Sequence, residues 1–86
     1  MAFVKEDLAC DHYSWSDEAS YAGMPSRRLF DRFNGHQVLF ILNSLREESE
    51  KFSLQESNRT EELILDKLPT DIRSELSVYN WLRGLK

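Results

Sequence analysis

Cys10-Asp11-His12 places a thiol, a carboxyl and an imidazole in three consecutive residues. These are the residue types of a metal site and of nucleophilic catalysis. Zinc wants four ligands, and a Cys-x-His pair without a second half is weak support for it. His36 could join the set, but no paired-cysteine site, glycine-rich phosphate loop or HExxH accompanies it. Catalysis is disfavoured as well. Neighbours in sequence rarely converge as nucleophile, base and orienting acid, and so short a chain offers little wall for a substrate pocket. The expectation is a non-enzymatic chain with no metal and no cofactor.

Arg27, Arg28 and Arg32 offer a different chemistry, the binding of anions. They lie in Pro25-Ser26-Arg27-Arg28-Leu29-Phe30-Asp31-Arg32-Phe33-Asn34-Gly35. Ser26 is a candidate N-cap, and Asn34-Gly35 is a candidate for the left-handed residue that closes a helix. The spacing predicts a helix over 26–33. Arg27 and Arg28 would then sit in its first turn, where the backbone is already partly positive, at a cost of roughly 0.3–1 kcal/mol per exposed charge. A nearby anion would remove that cost. Arg28 and Arg32, four apart, would share a face, and Arg27 would pair with Asp31.

The anion has two candidate sources. Residues 1–25 hold Lys5 against Glu6, Asp7, Asp11, Asp17 and Glu18, a sum of -4, whereas residues 26–36 sum to +2. The acidic leader therefore complements the basic helix within one molecule. The other source is an external anion or acidic partner on Arg27, Arg28 and Arg32, as phosphates bind helix starts.

The elements that must position these residues follow from composition and period. Eighty-six residues make one small domain. With 41% hydrophobic residues, 12% aromatics, Gly 3 and Pro 2, the chain is that of a folded protein poor in turn formers, which favours an all-α fold. No run approaches the roughly 18 apolar residues of a membrane span. The N-terminus lacks a secretory pattern, and a single cysteine fits a reducing, cytoplasmic location.

Residues 1–25 read as an irregular acidic strap, packed through Tyr13, Trp15 and Tyr21, with a disordered tail as the alternative. Residues 26–86 read as a bundle of about four helices. The second helix, 36–51, carries Val38, Ile41, Leu42 and Leu45 at helical spacing. A buried strand over 37–42 is its alternative. The third is placed at 58–68. Ser53-Leu54-Gln55-Glu56 also matches a capping box, and Pro69 enforces the end. Thr70 is a candidate cap for the fourth, at 70–83. The expected core is Val38, Ile41, Leu42, Leu45, Leu63, Ile64, Leu68, Ile72, Leu76 and Tyr79, with Phe30 and Phe33 closing one end.

The last helix carries the interaction argument. Ile72, Leu76, Tyr79 and Leu82 make one stripe, and Val78, Trp81 and Leu85 make a second beside it. Two stripes exceed what one packing partner needs. Val78, Trp81, Leu85 and Arg83 are therefore expected to bind a protein partner or a second copy in a weak homodimer. The functional expectation is a protein–protein interaction or regulatory module. A helical nucleic-acid-binding domain is the alternative, with 70–83 as recognition helix. It is disfavoured because Asp71, Arg73, Glu75 and Arg83 cancel, whereas a helix entering the major groove brings positive charge.

Overall fold

Asn34-Gly35 starts a helix and does not end one. The Asn34 side chain accepts a hydrogen bond from the Gln37 amide, and helix α1 runs Gly35–Glu48. Gly35 is required by a close approach: a Cβ there would meet the Trp15 indole at 2.6 Å. The computed structural model of the protein describes residues 3–10, 12–15, 25–49 and 51–85. Among them are α1, α2 (Leu54–Asp66), α3 (Glu75–Gly84) and one 3-10 turn, Lys5–Asp7. No strand occurs among the described residues, only isolated bridges between Ser14 and Asn34 and between Leu29 and Ser74. Residues 37–42 are helical, which removes the strand alternative.

The predicted helix over 26–33 does not form. Its backbone groups find distant partners instead. Ser26 and Arg28 carbonyls accept from the Leu76 and Glu75 amides, and the Phe30 amide donates to the Arg73 carbonyl. The Gln37 side chain, buried on α1, donates to the Leu29 carbonyl and accepts from the Asp31 amide, both at 2.8 Å. A helix here would satisfy the same groups locally but would place two guanidiniums on its positive end. The extended path satisfies them without that penalty.

The same pairing displaces the start of α3. Thr70 does not cap it. The Arg73 carbonyl is taken by Phe30, and the Ser77 amide turns to the Ser74 hydroxyl at 3.1 Å. Residues 70–73 are left as a turn. α2 was expected at 58–68 but runs Leu54–Asp66, because the Ser53 hydroxyl takes the Glu56 amide and caps it earlier. Among the described residues three α-helices therefore stand where four were expected.

Val38, Ile41, Leu42 and Leu45 form the buried face of α1, joined by Ile64, Leu68, Tyr79 and Leu82. Several core expectations need correction. Leu63 and Ile72 are half-buried, Leu76 is 37% exposed and Phe33 is 50% exposed. Phe30 packs against the core from its edge. Phe3, Phe52 and Val78 lie inside the core. The reason for the α3 error is a charged residue. Its buried positions are Glu75, Val78, Tyr79 and Leu82, an i, i+3, i+4, i+7 face that begins on a carboxylate. A purely apolar reading sets the helix phase wrongly. The radius of gyration, 11.6 Å, is that of a close-packed chain of this length, for which about 12 Å is expected. No described helix is long and apolar enough to cross a membrane.

Candidate functional site

The three arginines do not share a face. Arg28 Nε lies 3.4 Å from Glu75 Oε2. Arg32 donates to the Leu65 and Leu68 carbonyls at 3.0 and 3.3 Å, serving the C-terminal end of α2. Arg27 is exposed. The predicted leader contact falls partly outside the described residues, because Asp11, Asp17, Glu18 and Tyr21 lie there. What is described of the leader is held by other groups. Phe3 exchanges backbone bonds with the Asn43 amide, and Trp15 packs on Gly35 and edge-on to His36.

Glu61 and Glu75 are fully buried, and both gather donors from the irregular segments. Glu61 accepts from the Ala9 amide at 2.9 Å, the Cys10 amide at 3.2 Å and the Tyr13 hydroxyl at 2.9 Å. Glu75 accepts from the Ser26 amide and hydroxyl at 3.2 and 3.3 Å and from Gln37 Nε2 at 2.7 Å. A buried carboxylate is tolerated only when its lone pairs are met in this way. Burial, followed by the Glu61 charge and hydrogen bond, pushes the Tyr13 hydroxyl far above its ordinary range. These carboxylates are saturated fasteners. The His12 ring stacks on Tyr13 and edge-on to Phe33. Among the described residues no group of three or more His, Cys, Asp or Glu is placed to hold a metal.

Among the described residues a groove of about 400 Å³ opens where the end of α1, one face of α2 and the end of α3 meet. Leu45 and Phe52 are its buried floor, with Leu63, Leu82 and Leu85 along its walls. On α2, Glu56, Arg59, Thr60 and Leu63 face it at i, i+3, i+4, i+7. The floor is held in place, since Arg46 donates to the Phe52 carbonyl and the Phe3 ring meets Phe52 edge-on at 6.0 Å. Lys51 and Arg59 stand exposed on the rim.

Leu85, 52% exposed, is the one predicted partner residue that opens into this groove. Val78 does not belong to an outer surface, because it is fully buried. Trp81 is half-buried against the core. Arg83 lines a neighbouring polar depression and pairs with Glu48 at 2.6 Å. Glu48 also accepts from the Tyr79 hydroxyl, which burial and that bond push up to about 12. The α2 wall was missed because its stripe mixes Glu, Arg, Thr and Leu, so no apolar period marks it. Compared with known protein families, curated proteins and solved structures, the chain matches none of them.

Proposed function

We propose that the chain is a small non-enzymatic module that binds a protein partner through the groove between the ends of α1, α2 and α3. The observation that carries this is an apolar floor and walls left open beside a half-exposed leucine, Leu85. Burying apolar area of this kind is worth roughly 25 cal/mol per Å². The polar groups elsewhere support the reading, because Glu61 and Glu75 are already occupied by donors of the chain itself. Arg83 lines the neighbouring depression, where it would contribute to a rim.

The test is site-specific photo-crosslinking in the native host. A photoreactive residue at position 85 should capture a discrete protein, and one at position 27, beside the arginines, should not. The Leu63→Glu variant should abolish capture at 85 while keeping the circular dichroism of the wild type. Equal capture at both positions, or none at 85, would reject the groove as the working surface.

A further inference from the structure

The charges around the groove say more about what enters it. The described charged residues on its lining are Lys51, Arg59 and Glu56, an excess of cation on a chain whose net charge is -4. Among the described residues neither Lys51 nor Arg59 has an ion-pair partner, whereas Arg28 and Arg83 are paired. Lys51 stands two residues before the Ser53 cap of α2, where the helix backbone adds partial positive charge, and Arg59 stands midway along the helix. The opposite wall is the end of α3, whose backbone charge has the other sign. The groove is therefore apolar in the middle, with a net positive charge on its rim that Lys51 and Arg59 supply against Glu56.

Resting on the groove as a protein-binding surface, we infer that its occupant is an amphipathic helical segment of another protein, with leucine-like side chains inserted and an acidic flank laid along Lys51 and Arg59. A helix in a groove offers apolar anchors at i, i+3, i+4 and i+7, and a volume of about 400 Å³ holds a few of them. Acidic side chains one step around that helix reach the cationic wall. A second copy fits less well. A two-fold dimer sets the same patch against itself, so the cation excess would meet its own image.

The test uses capped synthetic peptides with leucines at i, i+3, i+4 and i+7. One carries glutamates at the remaining positions and its twin carries lysines. Binding is followed by calorimetry, and the site by amide chemical shifts. The glutamate peptide should shift amides in 51–63 and 82–85 and bind about tenfold more tightly than the twin at low salt. The double variant Lys51→Glu, Arg59→Glu should reverse that order. If the lysine peptide binds the same amides equally well or better, the acidic partner is rejected while the groove stands. If neither peptide binds but the protein dimerises in sedimentation equilibrium and Leu85→Asp abolishes the dimer, a second copy is the occupant and the inference fails. If neither binds and position 85 crosslinks nothing, both readings fall.

Discussion

Glu75 shows how much one side chain decides. At 0% exposure it accepts from Ser26 and Gln37, which in turn holds the Leu29 carbonyl. Glu75→Ala should therefore cost about 2–3 kcal/mol in chemical denaturation, because it strands buried donors. Arg28→Ala should cost at most about 1 kcal/mol, since the Arg28 side chain is 41% exposed and water screens the pair. If both variants cost the same, the ion pair dominates and not the neutral donors. Ser57 presents the opposite case. Its hydroxyl is buried with no hydrogen-bond partner among the described residues. Ser57→Ala should be neutral or stabilise by up to about 1 kcal/mol, read as a higher midpoint at unchanged slope.

At the scale of elements, Gly35 joins the leader to α1. Gly35→Ala would drive a methyl into the Trp15 ring, and moving the indole disturbs its contacts with His36 and Lys5. The expected loss is about 1–3 kcal/mol, with faster hydrogen exchange in 12–15. Unchanged exchange there would mean the indole yields at no cost. The sequence displayed α1 almost entirely, because Val38, Ile41, Leu42 and Leu45 combine apolar character with helical period. For α2 it offered the Ser53 cap only beside a start at 58, and an end at 68 where the helix closes at Asp66, because local signals compete there. It misrepresented 26–33 and the start of α3, where backbone groups 43 to 50 residues apart satisfy each other. Local cap chemistry has no knowledge of such partners. The candidate site was legible only at Leu85, since its other walls come from separate helices.

At the scale of the whole molecule, the tyrosines set the alkaline limit. Burial raises Tyr13 and Tyr79, the latter to about 12. A hydroxyl that holds its proton more tightly folded than unfolded contributes stability fully below the unfolded value of about 10. That contribution is lost as pH rises through the folded value. The melting temperature should fall between pH 10 and about 12, and Tyr79→Phe should flatten part of the slope. An identical slope in the variant would exclude Tyr79 as a contributor.

The glutamate fasteners also set an order of events. Ala9 and Cys10 wait for Glu61, and Ser26 waits for Glu75, separations of 52, 51 and 49 residues. Closing such loops is slow compared with winding a helix. During synthesis the leader leaves the ribosome with its acceptors not yet made. Early segments must therefore remain undocked until late ones arrive, and the chain completes itself backwards. In pulse-labelled refolding, the amides of Ile41 and Leu42 should gain protection before those of Ala9, Cys10 and Ser26. Simultaneous protection would mean that the leader docks as the helices form, and that the distance along the chain sets no delay.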